Sequence, residues 1–204
     1  RVSSSAASDV YKRQVSIGDD KSQDVLRTSM AMGIDRSILV KSQNTLEPLA
    51  VAKTLKIIID KEKPDLVLMG KQAIDDDSNQ TGQILSALLN WPQGCFISNL
   101  KIENNKVFIS REIDEGIENL ETSIPAVLTC DLRLNTPRFA SLPNIMKAKK
   151  KPLETIDIDT LGIDTSSKIK TLKVIEPPKR KAGIMVNDVK AVSYTHLRAH
   201  ETVG

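Results

Sequence analysis

Aromatic residues and cysteines are scarce in this sequence. Its 204 residues include one tryptophan, two tyrosines, three phenylalanines and two cysteines. Two cysteines cannot build the disulfide framework of a small secreted domain, so a reducing compartment is the simpler interpretation. No apolar run approaches the ~18 residues that cross a bilayer, so we expect no direct membrane insertion. The length suffices for one large domain or two small ones with a buried core.

Histidine and tyrosine are missing from the whole middle of the chain. Both tyrosines and both histidines lie in the first 14 or the last 12 residues. Both ends also lack apolar periodicity and any pattern of a secretory signal. We therefore expect residues 1–14 to be a non-native leader and residues 193–204 a non-native tail. Without histidine, the middle segment cannot form a histidine-based catalytic triad or a histidine-ligated zinc site.

Charge is nearly balanced once those two ends are set aside. The whole chain carries 29 basic and 26 acidic residues, and the middle segment keeps 25 basic against 24 acidic. A surface that binds nucleic acid non-specifically needs a marked basic excess. We therefore expect no nucleic-acid partner.

The first half of the chain alternates between strand and helix patterns. Strand patterns cover residues 15–18, 37–40 and 66–70, and a helix pattern follows each of them, the last at about 80–89. This alternation predicts an α/β fold with a doubly wound, mostly parallel, Rossmann-like sheet. The continuous apolar run at 66–70 is typical of a parallel strand that is covered on both faces. Ligands bind beyond the carboxyl ends of such strands, so the loop after Met69 is the first candidate site.

The second half is organised differently. Asn104 and Asn105 sit between two alternating segments, which predicts a small hairpin. Residues 126–132 form another buried-type strand pattern, and apolar residues are sparse beyond it. We therefore expect an α/β domain at 15–134, followed by an extension at 135–192 that packs against a partner.

The loop at residues 70–82 carries the strongest chemical signal. It has no Gly-Lys-Ser/Thr triplet, so it is not a Walker loop. Backbone amides and the helix dipole near Asn79 and Thr81 suit an anion such as a phosphate. Its three consecutive aspartates leave two alternatives open from the residues alone, a loop that merely caps the helix or a magnesium site.

Three long motifs make the sequence similar to a known family. They are residues 70–83 with 91–94, residues 111–116 leading into 124–127, and residues 137–151. In this order they closely resemble the β subunit of electron transfer flavoproteins, and the resemblance covers about residues 15–190.

The resemblance implies an electron carrier and not an enzyme with catalytic residues of its own. In this family the β subunit pairs with an α subunit and binds structural AMP, and it buttresses an FAD that the α subunit mainly holds. The heterodimer carries electrons from acyl-CoA and related flavin dehydrogenases of fatty acid β-oxidation to a quinone oxidoreductase. The implied compartment is the cytoplasm of a bacterium or the mitochondrial matrix of a eukaryote, and no metal is implied.

The resemblance also assigns the AMP site, residue by residue. The phosphate would lie at the start of the third helix, and the aspartates would shape the loop without binding metal. The AMP-binding residues carried over in this way are Ile17, Gly70, Lys71, Gln72, Ala73, Ile74, Asp75, Asp76, Asp77, Ser78, Asn79, Gln80 and Thr81.

The third motif resembles the loop by which this family recognises its client dehydrogenases. Its leucine would anchor in an apolar pocket of the client, which contributes roughly 1.5–3 kcal/mol if the side chain is fully buried. Its lysines would steer an acidic partner. The residues assigned to docking are Arg138, Leu142, Pro143, Ile145, Met146, Lys147 and Lys150. Without the resemblance, the same segment would indicate a solvated charge run beside an ordinary core leucine.

One acidic residue of the second motif has a separate predicted role. In the family it lies near the mobile flavin-bearing domain of the α subunit, so Glu112 would act as a weak electrostatic latch between domains. A surface strand residue without function is the alternative. An exposed ion pair contributes only ~0–1 kcal/mol, which suits a domain that must swing.

The sequence departs from the family at both ends. The opening strand and its loop are missing and the final helix is replaced after about Lys190, so we expect a fragment. The rival interpretation is a nucleotide-binding enzyme or a stress-type ATP sensor on the same scaffold. A paralogous carrier for nitrogen fixation or electron bifurcation is a third possibility. The intact segment 75–81 favours the AMP-containing, housekeeping branch.

Overall fold

The structure is a computed structural model that describes residues 10–74, 77–179 and 189. The first part of the predicted leader, the predicted tail, Asp75 and Asp76 lie outside the described residues. The chain divides into two units, Arg1–Ser167 and Lys168–Gly204. In the second unit, residues 168–179 form neither helix nor strand.

All the described helices and strands belong to the first unit. The strands are β1 (Arg13–Gly18), β2 (Arg36–Lys41), β3 (Leu66–Gly70), β4 (Gln93–Glu103), β5 (Lys106–Ile113), β6 (Gly116–Ser123), β7 (Ala126–Cys130) and β8 (Leu153–Asp157). The helices are α1 (Ser22–Ala31), α2 (Pro48–Glu62), α3 (Thr81–Leu89), α4 (Leu142–Ala148) and a 3₁₀ turn at Ile158–Leu161. Among the described residues, none of these helices combines the length and apolarity that spanning a bilayer requires.

The predicted α/β fold is confirmed, but its strands form two sheets. In the first sheet β1, β2 and β8 run parallel in the order β1-β2-β8. The central strand β2 buries Ile38, Leu39 and Val40, as a parallel strand covered on both faces does. β8 lies in the predicted partner-binding extension and was not predicted as a strand. β1 begins two residues earlier than predicted, so Arg13 and Gln14, the last two residues of the predicted leader, lie in the first sheet.

The second sheet is half parallel and half antiparallel. Its order is β3-β7-β4-β5-β6, with β3, β7 and β4 parallel and the last three strands antiparallel. Asn104 and Asn105 have φ values of 49° and 67°, which is the left-handed pair expected at a two-residue hairpin turn. The hairpin was predicted and β6 was not.

One expectation about β3 is wrong. Leu68 keeps 53% of its surface exposed, so this strand is not covered on both faces. Val67 and Met69 pack against α2 and α3, so these helices cover the opposite face of β3 from Leu68. β3 also lies at the edge of the second sheet, where β7 is its only neighbour among the described strands.

Helix α2 holds the two sheets together. Its Ile58 packs with Ile38 and Val40 of the first sheet. Its Ala52 and Ile59 pack with Leu85 of α3 and Val127 of the second sheet. One amphipathic helix therefore supplies a core to both sheets.

A cluster of charges fixes the end of α2 against the first sheet. Glu62 accepts a hydrogen bond from Arg13 at 2.7 Å and another from Arg36. The Arg36 guanidinium holds the pKa of the Glu62 carboxyl below its usual value, because its hydrogen bond favours the ionised form. The strand residue Arg13 is thus part of the folded core.

Truncating the side chain that joins α3 to α2 and β7 tests this packing. Leu85→Ala should lower the free energy of unfolding by about 2–5 kcal/mol, because it leaves a cavity among fully buried neighbours. Val25→Ala, on the exposed side of α1, is the control and should change it by less than about 0.5 kcal/mol. Urea denaturation measures the free energy of unfolding of both variants. Equal losses of this free energy would contradict the packing of Leu85 between α3, α2 and β7.

Candidate functional site

The edge where β3 and β7 end brings two opposite charges together. The strands are paired in register up to Gly70 and Cys130, and each is followed at once by a charged residue. The amide of Lys71 donates to the Cys130 carbonyl at 3.2 Å, which continues the ladder by one bond. The Lys71 ammonium then lies 2.6 Å from the Asp131 carboxylate. Lys71 was predicted in the nucleotide loop, but its side chain is directed to Asp131.

Asp131 is buried and accepts from two cations. Besides Lys71, the Arg133 Nε donates to it at 3.0 Å and the Arg133 amide at 3.1 Å. The Lys71 ammonium, and after it Arg133, hold the pKa of the Asp131 carboxyl far below its usual range. Neither Asp131 nor Arg133 was predicted as a site residue. The sequence signal that could have revealed Asp131 is a single acidic residue directly after a buried strand pattern.

Glu112 extends this chain of charges. It lies near the end of β5 opposite Ile117, and its carboxylate accepts from Arg133 Nη1 at 2.5 Å. We call Lys71, Asp131, Arg133 and Glu112 the Asp131 network. It connects the start of the candidate nucleotide loop with the predicted latch residue.

In the described part of the loop, Asp77 is held by hydrogen bonds to other residues of the loop. Asp77 has φ 52°, its amide donates to the Ala73 carbonyl at 3.0 Å, and its carboxylate accepts from the Gln72 side chain. This carboxylate is therefore engaged within the loop. Among the described residues, no group of three or more histidine, cysteine, aspartate or glutamate residues is placed to hold a metal ion.

The start of α3 has groups that suit a ligand with both an anionic group and hydroxyl groups. Asn79 is left-handed at φ 48° and Gln80 is right-handed, a pairing that turns successive amides to one side. The first-turn amides of a helix have no partner within the helix. Gln83 Nε2 donates to Asn79 Oδ1 at 3.2 Å, while the buried Gln83 Oε1 has no hydrogen-bond partner in the described structure. The backbone amides suit a phosphate group, and the unpaired Gln83 oxygen suits a hydroxyl group. Together they suit a phosphorylated sugar.

Ile17 lines a separate cavity at the end of β1. The cavity has a volume of about 590 Å³, and its lining residues are Val15, Ser16, Ile17, Gly18, Asp19, Ser42, Gln43, Asn44, Thr45, Leu46, Val51 and Leu55. The described residues of the loop at 70–81 are not among them. Ile17 lies within β1 of the first sheet, whereas the loop follows β3 of the second sheet.

The predicted docking segment is largely exposed and rests on α1. Leu142 is 72% exposed at the start of α4, and Phe139, just before the helix, is 97% exposed. The opposite side is buried, because Ala148 packs with Met30 and Ala31 of α1. Of the other residues assigned to docking, Pro143, Ile145, Met146, Lys147 and Lys150 are exposed on or beside α4. Arg138 lies over Gly33 at the end of α1.

Fold and site together define an α/β protein with a candidate anion-binding loop at one strand edge and an exposed helix beside α1. The sequence model of the electron transfer flavoprotein domain matches residues 13–161. The electron transfer flavoprotein subunit beta of Bradyrhizobium diazoefficiens is 53% identical over 175 residues, which are 86% of this chain and 70% of that protein. The subunit beta of Dictyostelium discoideum is 51% identical over 178 residues, 87% of this chain and 71% of that protein. The subunit beta of Homo sapiens is 52% identical over 176 residues, 84% of this chain and 69% of that protein.

The chain therefore belongs to the electron transfer flavoprotein family, as a relative of its beta subunits. This confirms the resemblance seen in the three motifs. The matched region also begins at Arg13, where β1 begins.

The buried carboxylate of the Asp131 network gives a pH-dependent prediction. Its folded pKa is depressed, so its pairing stabilises the protein above about pH 4, the range of an unfolded aspartate, and this stabilisation is lost as the pH falls further. Asp131→Asn should lower the free energy of unfolding by about 1–3 kcal/mol at pH 7, since two cations lose their ionised partner.

Denaturation of both proteins between pH 7 and pH 3 measures this effect. The gap in the free energy of unfolding between the unaltered chain and Asp131→Asn should narrow below about pH 4. Asp114→Asn, at an exposed position between β5 and β6, serves as the control. A gap that stays constant down to pH 3 would show that the Asp131 charge does not stabilise the fold.

Proposed function

We propose that this chain is the β subunit of a heterodimeric electron transfer flavoprotein. In it the chain binds structural AMP, buttresses the FAD that the α subunit holds, and docks acyl-CoA and related flavin dehydrogenases. The electrons pass on to a quinone oxidoreductase. Family membership supports the role in electron transfer, and the observation that carries the nucleotide site is the orphaned Gln83 Oε1 beside the first amides of α3.

A nucleoside monophosphate fits this site better than a triphosphate. The loop's lysine, Lys71, is held by Asp131 at 2.6 Å and is therefore not directed at a phosphate. Backbone amides at the start of α3, with the side chains of Asn79 and Thr81, would hold one phosphate group. The Gln83 acceptor would take a hydroxyl of the sugar. This arrangement favours AMP over the ATP chemistry of the rival interpretation.

The flavin supplies the redox chemistry, because FAD accepts and releases electrons when the α subunit holds it. The part of this chain is to set distance and orientation and to provide surfaces for docking. The exposed Leu142 offers an apolar anchor for a client, and the lysines around it favour an acidic rim. In a bacterium this role belongs in the cytoplasm, and in a eukaryote in the mitochondrial matrix.

In the proposed function, Glu112 acts as a reversible latch for the flavin-bearing domain of the partner. Its side chain is 49% exposed and that of Arg133 is 59% exposed, so their pairing is weak. Arg133 engages one carboxylate oxygen, and a carboxylate can accept from a second cation at the same time. A cation of the partner can therefore share Glu112 with Arg133 without a large energetic cost.

The nucleotide site is tested by measuring bound AMP. The chain is co-expressed with an α subunit, and the nucleotide released on denaturation is quantified by chromatography. Asn79→Asp keeps the left-handed backbone but places a carboxylate against the phosphate. We expect bound AMP to fall at least about tenfold, because a repulsion of more than ~1.4 kcal/mol replaces an attraction.

Asn135→Asp is the matched control, since Asn135 is an exposed asparagine beyond the loop and should leave AMP bound. Equal AMP content in the two variants would contradict the assigned site. Release of ATP or ADP in place of AMP would favour the enzyme or ATP-sensor interpretation.

The latch is tested by the rate of electron transfer between proteins. Glu112→Gln removes the charge and keeps the size, so the flavin-bearing domain should be held less firmly and the rate should change by up to about fivefold. Stopped-flow reduction of the heterodimer by a client dehydrogenase measures it, with Glu103→Gln on β4 as the control. Identical rates for both variants and the unaltered heterodimer would rule out the latch.

A further inference from the structure

The helix that presents Leu142 is too short to be stable by itself. α4 has seven residues, whereas isolated helices below ~12 residues are marginal in water. Proline in its first turn fixes its start, but its carboxyl end has no glycine cap. Its shape therefore has to be held by contacts with the rest of the protein.

Arg27 of α1 closes the carboxyl end of this helix. Its Nη1 donates to the Ala148 carbonyl at 2.8 Å and to the Lys151 carbonyl at 2.7 Å. The last carbonyls of a helix have no partner within it, and a cation there also interacts favourably with the helix dipole. Arg27 is far from α4 in sequence, so this is a tertiary cap.

Lys151 does the same for α1. Its Nζ donates to the Met30 carbonyl at 3.0 Å and to the Ile34 carbonyl at 2.5 Å, where α1 ends. The carboxyl ends of α1 and α4 are thus each closed by a cation from the other segment. We call Arg27 and Lys151 the reciprocal clamp.

We propose that the reciprocal clamp is the device that positions the docking surface for client dehydrogenases, with Arg27 and Lys151 as its positioning residues. This inference rests on the docking role proposed above. The proposal distinguishes two kinds of lysine within residues 147–151. Lys151 is half-buried and structural, whereas Lys147 and Lys150 are exposed and can face an acidic partner.

The clamp acts through the spacing of the apolar side chains. Leu142 and Met146 are four residues apart, so they lie on one face only while α4 is helical. Without Arg27, the carbonyls of Ala148 and Lys151 lose their bonds to α1, and without Lys151 the segment after α4 loses its bonds to the end of α1. The carboxyl end of α4 is then held only by its own short-range backbone bonds, so the helix frays. A client then has to order the segment as it binds, which lowers its affinity.

The experiment uses the chain in its heterodimer with an α subunit and compares Lys151→Met with Lys149→Met. Both variants remove one positive charge from the same segment, but only Lys151 belongs to the clamp. Affinity for an acyl-CoA dehydrogenase is measured by calorimetry, and amide exchange of residues 145–151 by mass spectrometry.

Lys151→Met should lower the affinity at least about tenfold and speed the exchange, whereas Lys149→Met should lower it by no more than about threefold and leave the exchange unchanged. Arg27→Met should behave like Lys151→Met, and Arg27→Lys should restore part of the affinity. The rate of electron transfer at saturating client should stay the same in all four variants, because the flavin is untouched.

Two outcomes separate the clamp from the docking role. If Leu142→Ala weakens binding but Lys151→Met behaves like Lys149→Met in both measurements, the clamp is wrong and the docking role stands. If Leu142→Ala binds like the unaltered protein, the docking role fails, and the clamp's function fails with it.

Discussion

The parallel pairing of β3 with β7 determines where the candidate nucleotide loop and the Asp131 network lie. In this register Gly70 and Cys130 end side by side, so Lys71 and Asp131 emerge at the same edge and form an ion pair. The nucleotide loop leaves from one strand and the segment that leads to α4 leaves from the other. The positions of the loop and of the Asp131 network follow from this strand pair, whereas α4 is held in place by its contacts with α1.

The basic residues of the chain divide between structure and function. Lys71 neutralises the buried Asp131, and Arg27 and Lys151 close helix ends, so these three cations hold the fold. Lys147 and Lys150 are exposed, and the proposed docking role would use them. A nearly neutral chain can in this way present exposed cations beside the exposed Leu142.

Local patterns in the sequence predicted the local structure well. The apolar run of β3 and the asparagine pair at the hairpin turn both form the expected elements. What the sequence did not reveal depends on distant residues. β8 becomes a strand because it pairs with β2, and Arg133 and Lys151 acquire their roles only from partners across the fold. The exposure of Leu68 likewise depends on which face of β3 the helices α2 and α3 cover, and no local pattern encodes that choice.

In the proposed function, this chain takes part in electron transfer only through a flavin that the α subunit holds. Visible absorption spectroscopy of the chain purified alone, and of the chain co-purified with an α subunit, tests this dependence. We expect no flavin spectrum for the chain alone, and for the pair a flavin spectrum that bleaches when a substrate-reduced client dehydrogenase is added. A flavin spectrum from the chain alone, or a pair whose flavin the client leaves oxidised, would contradict it.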